Sequence, residues 1–303
     1  MYIIETNQIT KNYGKFVAVD HVDMHIKEGS IYGFVGENGS GKTTIMRLLT
    51  GLAELTSGSY TMFGVSNKSS DIYKVRNQTA AIVETASLVP TMTARDNILY
   101  AEAYIGVKLT EEQRNNLLAL VHLENTGKKK VKNFSLGMRQ RLAIALCLIN
   151  EPKLLLLDEP MNGLDPEGIA DLRETLVKLN QEKGITILIS SHILSELEKI
   201  ATDYGFILHG KMLEEISSQE LVDKCHKSIT LKVDNKDEAI KVLESLKLKN
   251  FKEYPNNEFR IYDEITINEI VKALDKAKVA ITSLNSNDNN VEDYYLNLIK
   301  GGY

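Results

Sequence analysis

Three short runs of this chain are apolar at nearly every position: residues 31–35 (Ile-Tyr-Gly-Phe-Val), 154–157 (four leucines) and 185–189 (Ile-Thr-Ile-Leu-Ile). Runs of this length are too short for helices and read as strands buried on both faces. From the start to about Gly210, short β-rich runs alternate with helical patterns, which predicts an α/β fold with a mainly parallel sheet flanked by helices. The texture changes between about residues 86 and 150, where strand signals fade. There Ile98, Leu99, Ala101, Ala103 and Ile105 mark one helix, and Leu117, Leu118, Leu120 and Val121 another, so this stretch is expected to be a helical insertion riding on the sheet.

After about Ser218 the pattern restarts. Ile229, Leu231 and Val233 alternate as a strand, and Ala239, Ile240, Leu243 and Leu246 fall on one helical face. Pro255, Asn256 and Asn257 then separate two strands, residues 251–254 and 259–262, as a hairpin turn. Ile267, Ile270, Val271 and Leu274 mark a helix, residues 279–284 a last strand, and the asparagine-rich residues 285–290 a loop. This βαββαβ order predicts a small α+β domain of ferredoxin-like type. The expected division is therefore 1–217 and 218–303.

The composition narrows the class of partner. A formal net charge of −5 argues against a bulk surface built for nucleic acid. Lys128, Lys129, Lys130 and Lys132 form the one notable basic run, but without interleaved aromatic residues it reads as a solvated loop. Residues 1–6 hold neither a basic region before a long apolar stretch nor a small-residue cleavage site, so export is not expected. The longest apolar run, residues 142–149, falls far short of the roughly 20 needed to cross a bilayer. Any membrane role would have to be borrowed from a partner. Cys147 and Cys225 have no metal or redox spacing and are expected to be buried free thiols in a reducing compartment.

Two segments carry chemistry. The sequence Gly36-Glu37-Asn38-Gly39-Ser40-Gly41-Lys42-Thr43 follows a predicted strand and opens a helical run from Thr44, the context that a phosphate-binding loop requires. Its glycines let the backbone wrap around phosphates and the helix-start amides point at the anion. Lys42 is suited to neutralise the phosphate oxygens, and the Thr43 hydroxyl to ligate Mg2+. The strand at 154–157 delivers Asp158 and Glu159 at its end, where α/β sheets place their ligands. Asp158 is suited to hold the metal, and Glu159 to polarise an attacking water. His192 ends the next strand and could contact the terminal phosphate or order Glu159.

The segment Phe134-Ser135-Leu136-Gly137-Met138-Arg139-Gln140-Arg141 resembles the signature motif of ABC ATPases, usually written LSGGQ, with Leu136 and Met138 in place of glycine and glutamine. Ser135 is suited to cap a helix running to about Ile149, leaving its hydroxyl and the Gly137 amide at a positive helix end. The resemblance covers about residues 2–215. It implies a P-loop ATPase cassette that binds ATP and Mg2+, with Tyr13 stacking on adenine, Asn162-Gly163-Leu164-Asp165 as the D-loop, and Ser135 and Gly137 facing the ATP of a second, identical or similar subunit. Where the family usually has the Q-loop glutamine this chain has Glu84, which the resemblance implies to be a catalytic and metal-binding residue between the metal and the groove where a permease helix docks.

Glu84, the signature variant and the added C-terminal domain together resemble the bacitracin and lantibiotic class of peptide-antibiotic exporters. The expected function is therefore ATP hydrolysis driving a separate transmembrane permease, at the inner face of the cell membrane. The alternative is a soluble ABC ATPase acting on ribosomes, although that class usually carries two cassettes and this chain has one phosphate loop. A DNA-repair ATPase would need a long coiled coil between Lys42 and Asp158. A pure ATP sensor would not need both Asp158 and Glu159.

Overall fold

The computed structural model describes residues 1–84, 87–225, 228–263, 265–287 and 291–301. The chain divides into two compact units, Met1–Ser218 and Gln219–Tyr303.

The first unit is built on two sheets. Its central sheet has the order β11-β10-β4-β9-β8-β7, from β4 (Ile31–Val35), β7 (Thr79–Ile82), β8 (Leu154–Asp158), β9 (Thr186–Ser191), β10 (Asp203–Leu208) and β11 (Lys211–Ser217). All neighbours are parallel except β11, which returns antiparallel beside β10. Every residue of β4, β8 and β9 is buried, as expected of strands covered on both faces.

The second sheet corrects the expectation of strands alternating with helices from the start. It is antiparallel and joins β1 (Tyr2–Tyr13), β2 (Phe16–Val22), β3 (His25–Lys27), β5 (Ser57–Met62) and β6 (Val65–Ser66). Three of its strands precede the first helix. The register of β1 shifts against β2, β3 and β5, so its buried residues Ile3, Ile4 and Ile9 break the period of two that would have announced a strand.

Helices α1 (Lys42–Thr50) and α2 (Ile72–Arg76) come before β7, and α6 (Pro166–Lys183) and α7 (Leu194–Leu197) after β8. Between β7 and β8 stand α3 (Ala94–Ile105), α4 (Glu111–Leu120) and α5 (Leu136–Cys147), around a core of their own that includes Ala94, Ile98, Leu118, Leu142 and Ala145. Capping boxes start α3 at Thr93 and α4 at Thr110. A buried fork from Arg114 to both Glu102 oxygens, 2.6 and 2.7 Å, ties the two helices together. Cys147 is half-buried at the end of α5, and burial pushes its thiol up to about 12. The lysines 128, 129, 130 and 132 are exposed, with Lys129 over the Phe134 ring.

Helix α8 (Ser218–Lys224) starts at the last residue of the first unit, and the second unit continues with β12 (Ser228–Val233), α9 (Lys236–Ser245), β13 (Phe251–Tyr254), β14 (Glu258–Ile261), α10 (Ile267–Lys276), β15 (Ile281–Asn287) and α11 (Val291–Gly301). Its sheet is antiparallel throughout with the order β13-β14-β12-β15, the ferredoxin-like arrangement. Leu231, Leu243, Phe259, Ile270 and Leu274 form its core. Asn256 and Asn257 carry the hairpin with positive φ, 65° and 57°. Two expectations are corrected here. Residues 285–287 belong to the last strand rather than a loop, and α11 was not foreseen; the remaining loop residues, 288–290, lie outside the described residues. Among the described residues no helix is long and apolar enough to cross a membrane.

Candidate functional site

The phosphate loop leaves the sheet at the buried end of β4. Gly36 has no room for a side chain, since a Cβ there would lie 2.5 Å from both the Ile207 carbonyl and Ser40 Oγ. Gly41 precedes α1 with φ 110° and no side chain caps the helix, so the first-turn amides at Lys42, Thr43 and Thr44 are open to an anion. Asn38 and Gly39 are exposed at the loop's tip, while Ser40 is buried with its hydroxyl unpartnered. Lys42 is 5% exposed, and its ammonium donates to the carbonyls of Gly36 and Glu37 at 2.6 and 3.1 Å.

The two carboxylates meet this loop from the end of β8. Thr43 Oγ1 donates to Asp158 Oδ2 at 2.7 Å, and Ser190 Oγ donates to Asp158 Oδ1 at 2.6 Å. Ser190 is opposite Asp158 in the β8–β9 register, and its hydroxyl also accepts from the Glu159 amide at 2.8 Å. One serine thus fixes the direction of one acid and the backbone of the next. Glu159 turns out of the strand with φ 49°, an uncommon conformation for a side chain-bearing residue. Its Oε1 lies 3.3 Å from the Lys42 ammonium and its Oε2 2.7 Å from His192 Nδ1. That Oε1 is buried and within ion-pair range of Lys42, but the geometry is not that of a hydrogen bond.

A second group forms elsewhere in the same unit. Ser135 caps α5, accepting from the Met138 amide at 3.2 Å, and Asp165 caps α6, accepting from the Gly168 amide at 3.1 Å with Pro166 next in the helix. Gly137 is buried on Gly168, where a Cβ would meet its Cα at 3.5 Å, and the Leu136 side chain leans over Gly163. Ser135 itself is exposed, and Leu136 is 44% exposed.

Tyr13 and Glu84 join neither group. Tyr13 ends β1 opposite Phe16, with its ring half-exposed and the Lys11 ammonium 4.9 Å from the ring centre. Lys11 is itself anchored on the Glu54 carbonyl at 2.7 Å. Glu84 stands two residues beyond β7 with φ 70°, and its carboxylate pairs with Arg47 on α1.

Sequence reasoning gave no role to Ser190, Arg47 or Lys11. Ser190 could have been found by aligning the two buried strands at their ends, which sets it beside Asp158. Arg47 could have been noticed as lying four residues after Thr43, one turn along the same helix face. Lys11 has no such signal.

Comparison with known proteins agrees with this geometry. The ABC transporter family model matches residues 19–162, a stretch that holds the phosphate loop, Ser135, Gly137, Asp158 and Glu159. The chain is 42% identical over 303 residues to the ABC transporter ATP-binding protein YcbN of Bacillus subtilis, covering 99% of this chain and 98% of that one. It is 38% identical over 303 residues to the bacitracin transport ATP-binding protein BcrA of Enterococcus faecalis, covering 99% and 97%. Among solved structures, the ADP- and phosphate-bound dimer of the ATP-binding cassette MJ0796 matches with a TM-score of 0.62 at 25% identity, over 71% of this chain and 98% of that one. The chain belongs to the ABC transporter family, as one of its ATP-binding, ATP-hydrolysing subunits.

Proposed function

We propose that this chain drives an exporter of peptide antibiotics, as a homodimer bound to a permease that is a separate polypeptide, and that it works at the inner face of the cell membrane through that permease. The observation that carries this reading is the reach of the similarity to BcrA, which spans 99% of the chain and so includes the small second unit as well as the cassette common to all ABC transporters. Residues 1–217 serve as the ATP-binding domain, with 86–150 as its helical subdomain, and 218–303 as an accessory domain.

In this reading the open amides of α1 and the Lys42 ammonium hold the ATP phosphates, and the buried, unpartnered Ser40 hydroxyl supplies a further donor. Thr43 Oγ1 and Asp158 Oδ2 are adjacent hard oxygen donors, a set that suits Mg2+ completed by phosphates and water. When bound, Mg2+ would neutralise charge on the phosphates. Glu159 is the general base, and the His192 contact at 2.7 Å holds its carboxylate in one orientation. The Lys42 contact must loosen as the ammonium turns to phosphate, which frees Glu159 Oε1 for water. Tyr13 offers its ring to adenine. Ser135 and Gly137 face the terminal phosphate of the ATP bound by the partner subunit, beside the Asp165 segment.

Affinity purification of the chain from detergent-solubilised membranes tests the proposal. A multi-span protein is expected at a one-to-one or two-to-one ratio, identified by mass spectrometry. Recovery with ribosomes and no multi-span protein would overturn it.

A further inference from the structure

Helix α1 reaches the ends of two neighbouring strands from one face. Thr43 and Arg47 are four residues apart and therefore share a side of the helix. Thr43 bonds Asp158 at the end of β8, and Arg47 pairs with Glu84 just beyond β7. Ile82 and Leu157 are partners in the β7–β8 register, so Glu84 and Glu159 each stand two residues past the same rung, both with positive φ. The sheet thus delivers two glutamates side by side in sequence register, and each is met by a cation from α1: Glu159 by Lys42 and Glu84 by Arg47.

The pairing addresses a charge problem. An unpaired carboxylate at position 84 would add repulsion toward Asp158, Glu159 and a bound triphosphate. It would also offer an extra oxygen to the cation that Thr43 and Asp158 are placed to hold. We propose that Arg47 is a positioning residue for Glu84: it holds the carboxylate one turn along α1 from Thr43 and limits its approach to the metal. This inference rests on the ATP-binding reading given above and deepens it by naming what controls Glu84. It also makes α1 a mechanical link, since the helix that begins at the phosphates is tied by Arg47 to the segment leading away from β7.

The test is a double-mutant cycle on the full chain saturated with a non-hydrolysable ATP analogue, with Mn2+ as the spectroscopic probe titrated by electron paramagnetic resonance at physiological salt. Arg47→Gln is expected to tighten Mn2+ binding at least threefold while Glu84 is present, because the released carboxylate reaches the metal. In the Glu84→Gln background the same substitution is expected to shift binding by less than about 1.5-fold, since only a screened long-range charge is lost. Arg47→Lys keeps the charge without the planar guanidinium and should give a smaller shift of the same sign with Glu84 present. It also supplies the comparison if the glutamine variant does not fold. Equal shifts in both backgrounds, or none in either, overturn the role of Arg47 while leaving the ATPase reading intact. Failure of the wild-type chain to bind the analogue would instead overturn the ATP reading, and this inference with it.

Discussion

On the phosphate side of the site, Lys42, Thr43, Asp158, Glu159, Ser190 and His192 are each bound to another member of the same group. In the other group, Ser135 and Asp165 each cap their own helix, and the serine faces outward from an exposed turn. The first group is preorganised by the chain itself, whereas in the second, among the described residues, the start of α5 is met only by its own cap, Ser135. That contrast separates two tasks. On the reading proposed here, binding ATP needs only one chain, while hydrolysis needs the outward-facing group of a second.

The largest effect should come from breaking the preorganised group at its reacting member. Glu159→Gln keeps the size of the side chain and an oxygen for His192 but removes the base, so turnover is expected to fall by about 10²- to 10⁴-fold with ATP binding retained. Steady-state hydrolysis beside equilibrium titration measures both. Near-normal turnover would remove Glu159 from the chemistry and leave its contacts with Lys42 and His192 as structural.

Lys42→Ala attacks the same group at its binding member. A charge-assisted contact to phosphate is lost, and ATP affinity should weaken roughly 10- to 100-fold, about 1.4–2.7 kcal/mol. The substitution also leaves Glu159 Oε1 buried without its cation. Calorimetric titration with ATP checks it, and an affinity within twofold of wild type would mean that the α1 amides carry the phosphates alone.

The two groups also differed in how far the sequence disclosed them. Strand runs buried on both faces are continuous in sequence, so β4, β8 and β9 were legible, and with them the positions of Lys42, Thr43, Asp158 and Glu159. The ferredoxin-like order of the second unit was legible for a similar reason, because β12 alternates Ile229, Leu231 and Val233 and its helices α9 and α10 keep one buried face. The antiparallel sheet of β1, β2, β3, β5 and β6 was not, since bulges scramble its alternation and its partners are distant in sequence. Ser190 and Arg47 were missed because their roles exist only across strands or between a helix and a strand end. The capping of α5 by Ser135 was readable, being local, but nothing local says what an exposed helix start is for.

The smallest effect on a single chain, and the sharpest test of the contrast, is expected from Ser135→Arg. The substitution removes an N-cap, which costs about 1 kcal/mol of local stability, and puts a bulky cation at an exposed turn where the side chain has room to turn to solvent. Lys42 and Asp158 do not touch this turn through any of their bonds described above, so ATP binding by the monomer should stay within about twofold, roughly 0.4 kcal/mol. Association should behave differently. In a Glu159→Gln chain, ATP is bound but not consumed, and light scattering is expected to show a dimer that depends on ATP. Adding Ser135→Arg should return that protein to monomer, because the new side chain occupies the space the partner's terminal phosphate would take. A dimer that survives the substitution would show that Ser135 is not at the shared site. Loss of monomer binding as deep as that of Lys42→Ala would show instead that the two groups act on one nucleotide within one chain, and the division between a self-sufficient half and a half that needs a partner would fall.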